Sequence, residues 1–387
     1  MCQHLDVLSV QIGSRPIGSP ANLAAQNYIR GVMAELGYVV EVQEYPCPAW
    51  QDHGATLTVT GDPVPVVTNM FSPPGRVAGQ AVSLPTFESL VDADLENRIA
   101  VLYGELTRSP LAPASWFLAG ERDLAIPRLL VERGAVAVVT VPPAARETER
   151  VIEDDAFPLP SVTVRSVDAG PLLRAPQVEL LVDTETHEGS TANVVGRRPG
   201  DTGSARVVVC AHYDSKIDTP GATDNGTGVA VLLGVAERQV TGTAPVELVA
   251  FTGEEYLPIG DDEYLRRRDG DLSNVVAALN IDGAGHALDV TTVMETEGRG
   301  PLRDALAREV GTHREVVWVD PYPESNHSTF SMRGVPAACF SSPQARELSH
   351  LRSDTVDRVD VDRLLEISEI IDHVVNDLTR PATRLVE

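Results

Sequence analysis

The 387-residue sequence has almost no lysine and few aromatic residues. Of its 31 basic residues only Lys216 is a lysine, and aromatic side chains make up 5% of the chain. Because 56 residues are acidic, the formal net charge is −25. A surface this negative repels phosphate backbones and anionic headgroups, so we expect neither nucleic acid nor a membrane surface as a partner.

Cysteines and long apolar runs are also scarce. The four cysteines lie far apart without Cys-x-x-Cys spacing, so no disulfide framework is predicted. No window approaches the ~18 apolar residues of a membrane span, and the chain does not open with a basic stretch followed by an apolar one. We therefore expect a cytoplasmic protein, although a secreted form trimmed of its signal peptide would have the same features.

What is present is typical of a folded protein. Hydrophobic residues make up 43% and charged residues 22%, which excludes a disordered or fibrous chain. An opening helix is predicted over 20–36, where Ile29, Val32 and Met33 share one face, and a strand is predicted over 38–42.

Residues 51–190 differ from the rest of the chain in composition and in the length of the predicted strands. Proline and glycine are frequent, predicted strands such as 100–103 and 135–141 are short, and no cluster of catalytic residue types occurs. We therefore expect two domains: a main one formed by 1–50 and 191–387, and an inserted one formed by 51–190 that shapes substrate access and supplies no catalytic residue.

Strands and helices alternate after residue 203. The runs Val207–Cys210, Val246–Phe251 and Val275–Ile281 are continuously apolar, as in strands buried on both faces. Helices are predicted over 228–239 and 361–378. This order predicts an α/β fold with a mostly parallel sheet sandwiched by helices.

Polar residues follow each of these strands. In such a sheet ligands bind at the carboxyl ends of the strands, so side chains there are expected to meet. A lone histidine or aspartate at such a place is more often a satisfied core residue or a helix cap. Here several carboxylates and imidazoles converge, which requires cations among them. The candidates are His212, Asp214, Asp224, Glu254, Glu255, Asp282 and His350.

These candidates offer nitrogen and oxygen ligands with no thiolate, a set suited to Zn²⁺ or a similar divalent ion. An aspartate on a glycine-rich loop can bridge two such ions. In order and spacing, five motifs resemble those of the dizinc aminopeptidase family, whose relatives include glutamate carboxypeptidase and the glutaminyl cyclases. The motifs are His-Tyr-Asp-Ser, Gly-Ala-Thr-Asp-Asn-Gly-Thr-Gly, Gly-Glu-Glu, Asn-Ile-Asp and His-x-x-x-Asp-Thr.

The resemblance implies a zinc exopeptidase-like fold with a protease-associated-like insert. It also implies two Zn²⁺ or other divalent ions per chain, with His212, Glu255, Asp282 and His350 as ligands and Asp224 as the bridge. Glu254 would be the general base, and Asp214 would orient His212. The implied activity is that of an aminopeptidase, which removes the N-terminal residue of a peptide or small amide with a metal-activated water.

Three positions depart from the family pattern. Relatives usually have Asp-His where this chain has Asn326-His327, Gly-Ser where it has Gly260-Asp261, and Thr where it has Leu351. None is a predicted ligand, so we expect the departures to bear on substrate preference.

Other functions on the same fold stay open at this point. A glutaminyl cyclase shares the His-Tyr-Asp-Ser-Lys motif but usually lacks a residue like Asn225, and a carboxypeptidase could use Arg352 as an anchor. A catalytically silent binding protein is disfavoured because every expected ligand is present. The sequence leaves the oligomeric state, the native metal and the residue cleaved undetermined.

Overall fold

The computed structural model describes residues 1–111, 119–143, 150–174, 177–200, 205–256 and 258–380. The chain forms two compact units, one comprising Met1–Cys47 with Ser190–Glu387 and the other Pro48–Gly189. Both boundaries fall within long strands, Val39–Val59 and Val178–Arg197. The strand predicted over 38–42 is therefore much longer than expected, because its alternation continues through Pro46 and Pro48, residues that usually interrupt a strand.

A largely parallel sheet forms the centre of the first unit. Its four middle strands run parallel to one another, whereas Val178–Arg197 is antiparallel to Val246–Phe251 and Thr291–Glu295 is antiparallel to Ala337–Ser341. This confirms the predicted fold class. In spatial order the strands are Val316–Trp318, Thr291–Glu295, Ala337–Ser341, Val275–Ile281, Arg206–His212, Val246–Phe251, Val178–Arg197 and Val39–Val59.

Helices cover both faces of this sheet because its strands are apolar on both sides. Val207 and Val209 belong to a buried cluster that includes residues of four long helices, and Val208 belongs to another cluster that includes residues of two other helices. Burying such a side chain stabilises the fold by roughly 1.5–3 kcal/mol. The helices of eight or more residues are Pro20–Glu35, Thr227–Gln239, Ile259–Arg267, Pro301–Val310 and Val361–Thr379. The shorter ones are Cys2–Leu5, Asp6–Ile12 (a π-helix), His327–Ser331 and Ala345–Leu348, with a kinked turn at Ala222–Gly226 and a 3₁₀ turn at Val356–Arg358.

The predicted helices of this unit are confirmed. The first begins at Pro20, and the Ser19 hydroxyl accepts the backbone N–H of Asn22 at 3.1 Å, which caps its N-terminus. The helix Thr227–Gln239 is buried on nearly every side, which explains why its sequence is apolar all round.

The second unit has its own five-stranded sheet. The predicted strands 100–103 and 135–141 are present as Arg98–Leu102 and Ala135–Thr140, and the sheet also contains Ser161–Thr163, Val67–Thr68 and Ala81–Leu84. Its remaining elements are the strands Asp62–Val64 and Gly75–Gly79, the helices Phe87–Val91 and Glu121–Glu132, and 3₁₀ turns at Gly104–Thr107, Ser166–Asp168 and Leu172–Arg174.

The cysteines and the long apolar runs, both scarce in the sequence, can be compared with the fold. All four cysteines are free, with Cys47, Cys210 and Cys339 buried as small apolar side chains. Within the described residues, none of the helices is long and apolar enough to cross a lipid bilayer.

Candidate metal centre

The predicted site residues lie together at one edge of the central sheet. His212 is the last residue of the strand Arg206–His212, and Asp282 follows Ile281 at the end of the next strand. Glu254 and Glu255 come shortly after Phe251, which ends a third parallel strand. Because these strands are parallel and adjacent, their carboxyl ends bring all four side chains to the same place.

One group of metal-binding side chains gathers around His212. Its Nε2 lies 3.3 Å from Asp224 Oδ1 and 3.3 Å from Asp282 Oδ1. One ligand atom from each of these residues lies within 4.8 Å of the others, which is close enough to surround a single ion.

A second group gathers around His350. Its Nε2 lies 3.2 Å from Glu255 Oε2 and 3.4 Å from Asp224 Oδ2. Asp224 therefore belongs to both groups, with one carboxylate oxygen directed at each imidazole. These are the two such groups found within the described residues.

The loop that carries Asp224 is fixed by other polar side chains. The Asp354 carboxylate accepts the backbone N–H groups of Thr223 at 2.8 Å and Asp224 at 3.0 Å. Asn225 donates its amide to the carbonyl of Ile281 at 2.8 Å and accepts the N–H of Gly228 at 2.9 Å. Sequence reasoning gave Asp354 no role, although it stands in the quoted His-x-x-x-Asp-Thr motif.

Glu254 and Glu255 lie in a turn and not in the first turn of a helix, since the next helix begins at Ile259. Their side chains face different groups. Glu255 contacts His350, whereas Glu254 Oε2 lies 3.8 Å from His212 Nε2. The helix dipole therefore does not explain this pair of carboxylates.

Asp214 lies beside His212, but its backbone makes the closer contact. His212 Nδ1 is 3.3 Å from the Asp214 carbonyl oxygen and 3.6 Å from the carboxylate. A proton on Nδ1 donated to that carbonyl leaves Nε2 facing Asp224 and Asp282 as an acceptor. The Asp214 carboxylate instead accepts the backbone N–H of Glu255 at 3.2 Å.

Exposure distinguishes a deep side of the site from an open one. The side chains of His212, Asp214 and Glu255 are at most 2% exposed. Those of Glu254 and Asp282 are 19% and 22% exposed, and that of His350 is 30% exposed. A reactant from solution therefore meets Glu254, Asp282 and His350.

The crowded charges shift the protonation of these groups strongly. Burial, and then the charge of Asp224, raises the pKa of Glu255 to about 7, against the opposing effect of His350. Burial also raises the pKa of Glu254 well above its ordinary range. Although burial and the charge of Lys216 lower it, the Glu255 and Asp224 carboxylates raise the pKa of His350 to about 10. Without a cation, the site therefore holds protons at neutral pH.

The donor set fits divalent metal ions. Within the described residues, the buried oxygens Asp214 Oδ1 and Glu255 Oε1 have no hydrogen-bond partner. A buried acceptor without a partner costs free energy, and a cation held by Glu255 would offset that cost at Glu255 Oε1. Imidazole nitrogens and carboxylate oxygens without thiolates are the ligands of catalytic zinc and similar ions.

Two of the departures from the family pattern touch each other. The Asn326 side-chain amide donates to the Asp261 carboxylate oxygens at 2.9 and 3.1 Å, and Thr329 donates to the same carboxylate. Burial raises the pKa of Asp261 to about 6. Residue 261 is an aspartate here where relatives usually have serine. Residue 326 is an asparagine here where relatives usually have aspartate.

Comparison with known proteins finds chains of similar sequence and similar fold. The aminopeptidase YwaD of Bacillus subtilis is 22% identical over 384 residues, which cover 94% of this chain and 81% of YwaD. The structure of BSAP, a zinc aminopeptidase from Bacillus subtilis, matches with a TM-score of 0.82 at 20% identity, covering 99% of this chain and 95% of BSAP. The aminopeptidase from Aneurinibacillus sp. strain AM-1 matches with a TM-score of 0.77 at 21% identity, covering 100% of this chain and 94% of that one. Residues 193–375, which carry every candidate ligand, match the model of Peptidase family M28.

Proposed function

We propose that this chain is a zinc-dependent aminopeptidase that hydrolyses the amide bond after the N-terminal residue of a peptide or small amide. The observation that carries the proposal is the position of Asp224, whose Oδ1 faces His212 and whose Oδ2 faces His350. The names of the relatives, which are aminopeptidases, support the choice of reaction.

Five residues are proposed to hold two ions. His212 and Asp282 would hold one, Glu255 and His350 the other, and Asp224 would be shared. When bound, such ions supply Lewis acidity and lower the pKa of a coordinated water. The His212 tautomer set by the Asp214 carbonyl keeps Nε2 available as a ligand atom.

Glu254 is proposed as the general base. It belongs to neither group of ligands, it is partly exposed, and it lies beside His212. Its carboxylate takes a proton from the attacking water and later gives it to the leaving amine, so the proton count balances. A glutamate whose pKa is raised by burial exchanges protons more readily near neutral pH than an ordinary one.

The open side of the site suits a positively charged group. The exposed parts of Glu254 and Asp282 form a rim of two carboxylates. A protonated α-amino group can donate charge-assisted hydrogen bonds to such a rim, each worth roughly 1.5–3 kcal/mol. Free-amine substrates are therefore favoured over blocked ones.

The second unit is proposed to supply no ligand. Within the described residues, neither group of metal-binding side chains includes a residue of Pro48–Gly189. We propose that this unit is the protease-associated-like insert expected from the sequence.

Metal content is the first test. Elemental analysis of the zinc-loaded protein should find close to two ions per chain, and Asp224→Asn should lose both because it removes the shared carboxylate. Asp261→Asn is a matched control, since Asp261 and Asp224 are 6% and 7% exposed. It should keep both ions. One ion in the unaltered protein, or two in Asp224→Asn, would contradict the bridging role.

The pH dependence of zinc binding is a second test. The pKa values of about 7 for Glu255 and about 10 for His350 leave both groups largely or partly protonated at pH 7 in the metal-free protein. Zinc binds the deprotonated ligands, so affinity should rise from pH 6 to pH 9 and protons should be released. Calorimetry in two buffers of different ionisation enthalpy measures this release. Equal heats in both buffers would rule out the proposed ligands.

Substitutions of the adjacent residues Glu254 and Glu255 distinguish the proposed general base from a proposed metal ligand. Glu254→Gln cannot accept the water proton, so turnover should fall by roughly 10²–10⁴ while zinc content is unchanged. Glu255→Gln weakens a ligand, so its activity should recover partly with excess zinc. Turnover and bound zinc are measured for both. A near-normal rate in Glu254→Gln would refute the assigned mechanism.

Substrate series distinguish the activities possible on this fold. N-acetylated substrates should react at least about tenfold more slowly than free-amine ones, because ~1.4 kcal/mol corresponds to a factor of ten. Cyclisation of N-terminal glutamine without water uptake would instead favour a glutaminyl cyclase. Indifference to the free amine with a preference for acidic C-termini would favour a carboxypeptidase, although Arg352 is already paired with Asp218 at 2.9 Å.

A further inference from the structure

Arg15 is one of the largest side chains that are completely buried, and its guanidinium donates to backbone carbonyls. The nearest acceptors belong to Tyr213 at 2.6 Å, Pro220 at 2.7 Å and Gly221 at 2.8 Å. It also donates to the carbonyls of Gly13 at 3.1 Å and Leu8 at 3.4 Å. A buried arginine held in this way orders the backbone around it.

The positive charge of Arg15 lies close enough to the candidate metal centre to interact with its carboxylates. Within the part of the chain that the structure describes, none of its hydrogen bonds goes to a carboxylate. Burial lowers the pKa of its guanidinium, whereas nearby carboxylates raise it, and an arginine stays protonated in either case. The carboxylates concerned are Asp354, Asp214, Glu255 and Asp224.

The carbonyls that Arg15 holds flank two residues of the site. Tyr213 immediately precedes Asp214, and Gly221 opens the turn that carries Asp224. The guanidinium therefore joins the two ends of segment 213–221. The backbone N–H of Arg15 also donates to the Ser215 hydroxyl at 3.1 Å, inside the same segment.

Gly221 is the point where these contacts converge. Its φ of +59° is left-handed, and a Cβ there would lie 2.6 Å from the Asp224 carbonyl oxygen. Its own carbonyl accepts from the guanidinium, from the Ser9 hydroxyl at 3.2 Å and from the N–H of Gly226 at 2.9 Å. The entry to the Asp224 turn is thus held from the N-terminal segment of the chain.

We propose that Arg15 is a positioning residue of the metal centre, whose guanidinium holds Tyr213 and Gly221 together and so places Asp224 for metal binding and Asp214 beside His212. The inference rests on the proposed two-metal site and extends it to a residue that touches neither metal ligand group. It assigns a function to the first residue of segment 15–19, whose last residue caps the first long helix.

Charge and geometry have opposite effects, which makes the proposal testable. A cation near the site repels metal ions, so a role of Arg15 through charge alone predicts tighter zinc binding once the charge is removed. A positioning role predicts weaker binding, because the ligands lose their fixed placement. Lysine keeps the charge but cannot reproduce the planar fork of donors.

The experiment measures zinc dissociation constants by competition with a chelator for the full chain, Arg15→Lys and Arg15→Met. Both variants should bind zinc roughly 10–100-fold more weakly, the loss typical of a supporting residue next to a metal ligand. The absorption spectrum of bound Co²⁺ should also change, since it reports ligand geometry. Unchanged or tighter zinc binding by Arg15→Met would overturn the proposal.

Arg206→Lys is the control for the loss of a buried arginine. Arg206 is 4% exposed and pairs with Glu247 at 3.2 Å, at the opposite end of the strand that ends in His212. It should lower the unfolding temperature but leave zinc affinity unchanged. If Arg15→Lys behaves in the same way, Arg15 is only structural and the proposal fails. If Arg15→Met does not fold, the zinc dissociation constant of Arg15→Lys decides whether Arg15 is a positioning residue. Absence of zinc binding by the unaltered chain would instead refute the proposed function.

Discussion

Negative charge crowded at one edge of the central sheet is the constraint on which the rest of the structure depends. Carboxylates this close cannot all be ionised in a buried place unless positive charge lies among them. Bound protons meet part of this need for positive charge. Burial and the charge of Asp224 accordingly raise the pKa of Glu255 to about 7. Divalent cations would meet this need fully and would also lie beside Glu255, whose buried Oε1 has no hydrogen-bond partner. The crowded carboxylates are Asp214, Asp224, Glu254, Glu255 and Asp282.

Keeping such groups together requires a backbone that cannot relax away from them. Asp354 and Asn225 hold the turn around Asp224, and Gly221 enters that turn in a conformation that other residues rarely adopt. His350 also has a left-handed backbone, with φ of +68°. Such conformations cost free energy and persist where neighbouring contacts enforce them, as they commonly do at functional sites.

The sequence predicted the edge of the sheet and the residues that meet there because strand ends can be located from apolar runs. Which atoms face each other could not be predicted, since this depends on loop conformation. Thus Asp214 contacts His212 most closely through its backbone carbonyl. The burial of Arg15 carried no signal in the sequence either, because its acceptors are backbone carbonyls and leave no residue pattern. A strand was predicted over 38–42, but its extension to Val59 was missed because its prolines are typical of a strand boundary.

The most direct test of the bridged site is anomalous diffraction at the zinc edge from crystals of the zinc-loaded protein. We expect two peaks per chain, one beside His212 and Asp282 and one beside Glu255 and His350, with the Asp224 carboxylate between them. A single peak, or two peaks that do not share Asp224, would contradict the two-metal centre.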